Sequence, residues 1–408
     1  MKKFLRMGTV AAVALMASAG LASCASNSKS SAPVTVDLMV AAYSDNTKAE
    51  WQQIITDFEA KNAGIKINLN VQSWNDITNV ITTDVQANKA PDILNIDAYA
   101  DFATSGLLYP AKDVVSPQVL SDFQPSFVKD ASIGGTQWAL PFIASARALF
   151  YNKDLFAKAG ISTAPKTWAE LEAAATKIKA NGGIGYGMAL GSEEAQAEAA
   201  YWFYGAGGGY GDVNKLTIDT PQNLAGATEM QKLIQAGLTE PNAGATQRDP
   251  LLNVFIQGKI GMMVGLPQTV IQIKSKNASL NYGIGSIPTK DGSPFTLGVA
   301  DQMMAFKNKV DKKDAIKAFL DYFYSVDVYT KWVAAEGFLP TTKTGAAAMA
   351  SNVDLKPFVE LLPSAKFYPA TNPKWPAAQA AMLTQFGTLA QGANPAALLK
   401  ALQAKADQ

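Results

Sequence analysis

The chain has 408 residues, 48% of them hydrophobic, with 35 basic and 34 acidic residues, a single cysteine and no histidine. A net charge of +1 without a Lys/Arg block beyond the opening segment excludes the concentrated basic face that nucleic-acid binding depends on. The lack of histidine excludes Ser-His-Asp and Cys-His nucleophilic chemistry and every His-ligated metal site, so neither a metal nor a cofactor is expected.

In chain order, Lys2, Lys3 and Arg6 form a cationic start, Val10 to Ala17 is an unbroken apolar run, and small residues follow. This is the layout of a secretory signal peptide, here expected over residues 1–23 and removed from the mature protein. Leu21-Ala22-Ser23-Cys24 resembles the lipobox of bacterial lipoproteins, which implies acylation of Cys24. Several acyl chains, at about 0.8 kcal/mol per buried CH₂, hold a soluble body at a membrane surface. Residues 24–32 are rich in Ser, Ala and Asn without apolar periodicity and read as a flexible tether. No later stretch approaches the roughly 18 apolar residues needed to span a bilayer. The expected location is therefore extracytoplasmic, lipid-anchored to a bacterial cell membrane on its periplasmic or outer side.

From Val34 short β-rich runs alternate with helices: a strand over Val34 to Ala42, a helix over Thr47 to Asn62, a strand over Ile65 to Val71, a helix over Ile77 to Asn88 and a buried strand over Ile93 to Ile96. Repeated βαβ units imply a largely parallel sheet and an α/β fold. Thr167-Trp168-Ala169-Glu170 is a capping box that opens a helix to Asn181. Thr220-Pro221 and Asp249-Pro250 each place a cap before a proline at the first helical position. Asp311 to Ser325 carries an apolar stripe of Ile316, Phe319, Leu320 and Phe323, and the Ala/Leu-rich tail from Pro376 is helical. Glycine-dense Gly182 to Gly187 and Gly205 to Gly211 fit neither a dinucleotide nor a Walker loop and read as turns needing positive φ. A chain of this length exceeds what one core ordinarily serves, so two lobes are expected.

Several spaced landmarks are similar to those of extracellular solute-binding proteins of family 1, the carbohydrate-binding subunits of ABC importers typified by maltose-binding protein. They are Ala90-Pro91-Asp92-Ile93 with Ser105-Gly106-Leu107-Leu108, Tyr151-Asn152-Lys153-Asp154, Pro165-Lys166-Thr167-Trp168, Phe255-x-x-Gly258-Lys259-x-x-Met262 and Gly337-Phe338-Leu339-Pro340. The resemblance implies a periplasmic-binding-protein-like fold: two discontinuous α/β lobes joined by a three-segment hinge, with ligand between them. The lobes would be 33–143 plus 289–326 and 144–288 plus 327–408. It further implies no enzymatic reaction, a monomer, a sugar ligand of mono-, di- or short oligosaccharide size, and an ABC permease as partner. The alternatives are a non-sugar solute such as a polyol, or a secreted glycoside hydrolase with a carboxylate pair such as Asp45 and Glu198.

Sugars offer hydroxyls and flat C–H faces, so carboxylates, amides and aromatic rings are the residue types to seek. Ligands of open α/β sheets lie beyond the carboxyl ends of strands, which points to Tyr43, Asp45 and Asn46 after the first strand and to Asp97 and Tyr99 after the third. The resemblance adds Ser145 and Arg147 at the first crossing, Glu198 and Trp202 from the segment that lines the cleft, and Gln268; Trp74 and Trp375 are further aromatic candidates. Asp45 and Asp97 also suit helix capping, and Arg147 equally suits an inter-lobe salt bridge. Where the maltodextrin site has an aromatic ring and a charge this chain has Gln268 and Ser145, which argues against long α-glucans.

Overall fold

A computed structural model describes residues 33–361 and 364–408, so Cys24 and the segments around it lie outside the described residues. The first sheet contains β1 (Val34–Ala41), β2 (Ile65–Gln72) and β3 (Ile93–Ile96). β1 lies between β2 and β3 and is parallel to both, as βαβ connections require. A small hairpin pairs β4 (Ser132–Ile133) with β5 (Thr136–Gln137). β6 (Leu140–Ala146) returns to the first sheet, whereas β7 (Ala148–Asn152), β8 (Ile184–Gly187), β9 (Ile260–Gly265) and β10 (Tyr282–Gly285) form a second sheet in the order β10-β7-β9-β8. The long β11 (Thr296–Ala305) runs antiparallel to both β3 and β6, and β12 (Ala365–Lys366) pairs with its start.

Each sheet has its own aromatic core. In the first, Trp51 stacks on Phe323 at 4.9 Å and lies 5.5 Å from Trp332. The second gathers Trp168, Trp202 and Tyr186, with Phe203, Tyr210 and Phe386 behind them. A smaller cluster around Phe150, Phe255 and Phe358 packs on the other face of the second sheet. Among the described residues no helix is long and apolar enough to cross a membrane.

Local sequence chemistry accounts for most boundaries. Thr167 Oγ1 accepts from Glu170 N–H (3.2 Å) while the Glu170 carboxylate accepts from Thr167 N–H (3.0 Å), and the helix Trp168–Ala180 follows. Thr220 caps the helix Pro221–Gln235, which Gly237 ends at φ +62°. The stripe Ile316, Phe319, Leu320 and Phe323 is buried on the helix Lys313–Phe323. Asp249-Pro250 behaves differently from the expectation: the helix Arg248–Ile256 starts earlier, with Gln247 at the cap position, because Asp249 pairs with Arg248 Nη1 at 2.9 Å instead of capping.

All three expected crossings shift. β6 stays in the first sheet through Ala146, so the first crossing falls at Arg147 and not after Ile143. The chain leaves the second sheet at Gly285 but joins the first only at Thr296, and Thr289 still bonds the second lobe, accepting from Trp168 N–H and donating to Lys166 O, both at 3.0 Å. The helix Val326–Glu336, assigned from sequence almost entirely to the second lobe, buries Tyr329, Trp332 and Val333 in the first core.

Candidate functional site

A single residue, Arg147, separates β6 in the first sheet from β7 in the second. Its backbone is tied on both sides: Arg147 N–H donates to Leu297 O at 3.0 Å, and Thr296 Oγ1 donates to Arg147 O at 2.6 Å. The side chain, 6% exposed, turns into a cavity of about 90 Å³ lined from both lobes. There it pairs with Glu194, whose other oxygen takes Arg248 Nε at 3.1 Å; Arg248 Nη2 also reaches Glu193 at 3.2 Å. Burial alone would lower the Arg147 guanidinium, but the adjacent Glu194 carboxylate outweighs it and holds the charge firmly in place.

The opposite wall is built by strand ends. Ile96 of β3 pairs with Gln302 of β11, so Asp97, just past the end of β3, and Asp301 come to the same end of the sheet. A β-bulge in the β6–β11 ladder falls between Asp301 and Gln302, a feature that re-aims side chains. The Tyr43 hydroxyl donates to Asp301 Oδ2 at 2.6 Å, and Gln379 Nε2 donates to Asp97 Oδ2 at 2.8 Å. Burial, then the neighbouring Asp97 carboxylate, pushes Asp301 up to about 7. Burial likewise raises Asp97, only partly offset by the Gln379 amide.

Rings complete the lining. Tyr43 meets Trp74 edge-on at 5.7 Å and Phe338 at 5.0 Å. From the second lobe Tyr368 faces the cavity, backed by Trp375, which stacks on it at 5.2 Å and 23°. Three buried lining atoms have no protein partner: Arg147 Nε, Gln196 Oε1 and the Tyr368 hydroxyl. Unpaired buried polar atoms are costly, and all three belong to residues that line this one cavity.

Of the residues expected from sequence, Tyr43, Trp74, Asp97, Ser145, Arg147 and Gln268 line this cavity. Asp45 and Asn46 lie instead on a neighbouring cavity of about 210 Å³, beside Glu336, because the chain turns outward after Tyr43 into the helix Thr47–Lys61. Tyr99 is fully buried, its hydroxyl donating to Asp130 O at 2.8 Å. Glu198 and Trp202 also leave the cleft: Glu198 Oε1 accepts from Tyr186 Oη (2.9 Å) and Trp202 Nε1 (3.2 Å) within the second core. Their helix, Ala195–Gly205, is buried nearly all round, so only its beginning reaches the cavity, through Glu194 and Gln196. Trp375 supports Tyr368 from behind and does not line this cavity. Sequence reasoning missed Glu193, Glu194, Gln196, Arg248, Asp301, Tyr368 and Gln379; for Arg248 a signal existed, since beyond Arg6 the chain has only two arginines, and both line this space.

The description "Bacterial extracellular solute-binding protein" matches residues 41–330. The chain belongs to this family. A Brucella abortus (strain 2308) protein is 35% identical over 381 residues, covering 91% of this chain and 92% of its own length. The diacetylchitobiose-binding protein DasA of Streptomyces coelicolor is 27% identical over 71% of this chain and 70% of its own. In fold, the chain is similar to an ABC transporter solute-binding protein from Thermotoga lettingae solved with α-D-tagatose (TM-score 0.82, 24% identity, 92% of this chain and 99% of that one). The solute-binding protein thus has the periplasmic-binding-protein fold of two α/β lobes and acts by binding outside the cytoplasm. Family membership sets aside the glycoside-hydrolase alternative, and Asp45 and Glu198, its candidate pair, lie in separate places.

Proposed function

We propose that this protein captures a small polyhydroxylated solute, a mono- or disaccharide in the first instance, and delivers it to the permease of an ABC importer. The observation that carries the reading is the mixed lining of one inter-lobe cavity: rings on two sides, charged groups from both lobes, and three buried polar atoms without partners. Rings suit the C–H faces of a sugar and the polar atoms its hydroxyls. A cavity of about 90 Å³, several times the roughly 10–15 Å³ one water needs, suits a small solute better than a long glucan. Relatives named for sugars and a structural neighbour solved with tagatose support the class of ligand.

Because the lining comes from both lobes, ligand favours the closed arrangement through contacts that an open one lacks. The body works as a monomer, tethered through an acylated Cys24 after loss of residues 1–23. Lobe membership follows the two cores, so the helix Val326–Glu336 moves with the first. The binding test is a thermal-shift panel of sugars and polyols. A true ligand at a hundred times its Kd stabilises by about 2.7 kcal/mol and is recovered unchanged; no shift with any member of the panel would refute the reading. Cys24→Ser should release the protein from the membrane fraction, and retention there would refute the anchor.

A further inference from the structure

We propose that the cavity discriminates by charge and that its solute carries a protonated amine, an amino sugar or amino polyol, seated between Asp97 and Asp301. The inference rests on the sugar-binding reading and narrows it.

Both arginines on the lining are already neutralised. Arg147 is paired with Glu194, and Arg248 with Glu193, Glu194 and Asp249. Asp97 and Asp301 have no such partner: among the described residues neither has a cation within ion-pair distance. Asp97 follows the last residue of β3, and Asp301 precedes Gln302, the partner of Ile96 on β11, so the two lie close enough for the Asp97 charge to act on Asp301. What meets them is a phenol, Tyr43, and an amide, Gln379; Glu194 adds further negative charge, and Arg147 offsets it only in part. Asp301 Oδ1 accepts no hydrogen bond among the described residues. Gln196 Oε1, itself 94% buried by residue and without a partner, adds another idle acceptor to the same space.

Two carboxyl groups side by side, Asp301 buried and Asp97 half-buried, resist joint ionisation; burial first, then the Asp97 charge, raises Asp301, and burial raises Asp97, with no ion-pair partner to offset either. A sugar hydroxyl supplies one hydrogen and no charge, and so leaves the repulsion in place. An ammonium group supplies three hydrogens and the compensating charge at once. Its sugar hydroxyls would still find Arg147 Nε and the Tyr368 hydroxyl, the unpartnered donors on the facing wall. A phosphate or carboxylate would find no free cation there and two uncompensated carboxyls opposite.

The test is calorimetric titration of the mature protein with matched sets on the gluco, galacto and manno frameworks, each as amine, parent hydroxyl, N-acetyl and 6-phosphate forms. The expected result is that on the framework that binds, the amine exceeds the hydroxyl and N-acetyl forms at least tenfold and the phosphate is weakest. Asp97→Asn and Asp301→Asn, checked for native circular dichroism, should each cut the amine preference to threefold or less. The proposal falls if a neutral or phosphorylated form binds tightest, or if the folded Asn variants keep the preference. If a neutral form wins, the sugar reading survives without it; if none of the twelve binds while the wider panel of sugars and polyols yields a ligand, the amine proposal alone falls.

Discussion

Glu198 gives the sharpest test of how the second lobe is held. Its carboxyl group is 95% buried, accepts hydrogen bonds from Tyr186 and Trp202, and forms no ion pair among the described residues. Burial drives its pKa from the ordinary 4.5 to about 8; the Trp202 and Tyr186 hydrogen bonds pull it down only in part, and the charges of Glu240 and Glu194 push it further up. At neutral pH the native group is therefore a neutral acid, whereas the unfolded chain has lost the proton. Between pH 4.5 and 8 the native state binds the extra proton, so stability is full below pH 4.5 and falls as pH rises. At about 1.4 kcal/mol per pH unit the loss by pH 8 is on the order of 4–5 kcal/mol. Glu198→Gln keeps the shape and the accepting oxygen and removes the proton. It should match wild type at pH 5 and exceed it at pH 8.5 by about 4 kcal/mol. With an unfolding entropy of roughly 2 cal/mol/K per residue, this corresponds to about 5 °C in Tm. Scanning calorimetry on both proteins at the two pH values decides it. A Tm difference that does not change with pH would refute the argument that Glu198 is buried as a neutral acid.

Four further substitutions probe other links. Asn223 is wholly buried, accepts from Gly209 N–H at 2.9 Å, and donates to Gly209 O (2.8 Å) and Ile218 O (2.9 Å); Asn223→Ala should cost about 3 kcal/mol and open residues 207–218 to limited proteolysis. A Cβ on Gly226 would lie 2.7 Å from Trp202 O, where two helices meet, so Gly226→Ala should lower stability by about 1–3 kcal/mol in chemical denaturation. Arg147→Met keeps the buried stem but strips Glu194 of one of its two cations, and should cost about 3 kcal/mol. Adding Glu194→Gln to Arg147→Met should cost less than the sum of the single changes, a non-additivity read from the double-mutant cycle.

The elements were legible because their signals are local. The capping box at Thr167, the proline after Thr220 and the alternation up to Ile96 each involve residues within a few positions of one another, and each element forms where they indicate. Site residues at strand ends were legible for the same reason: Tyr43 and Asp97 follow β1 and β3, and position alone brings them to the cavity. Glu198 and Trp202 illustrate the limit. Their helix is Ala-rich and apolar nearly all round, so its sequence carries no stripe to say which face turns inward, and a choice one turn too late moves a residue from cavity to core. Asp301 and Gln379 are more than 75 residues apart and meet Tyr43 and Asp97 only through tertiary pairing, which no local pattern encodes.

The distribution of polar contacts fits the proposed use of one cavity for both recognition and closure. Two amides of the second lobe already reach the first: Gln268 Nε2 donates to Tyr43 O, and Gln379 Nε2 donates to Asp97 Oδ2. A hydrogen bond of this kind nets about 1 kcal/mol, enough to bias two lobes toward each other but not to lock them. The stronger ion pairs of Arg248 stay within the second lobe, so they shape its wall without joining the lobes. Arg147, bound at its backbone to β11, carries the second lobe's anionic cluster to the crossing itself. Under the proposed function, a solute that touches Asp97 and Asp301 on one side and Tyr368 and Gln196 on the other would add contacts from both lobes to these two amides and so favour the closed arrangement.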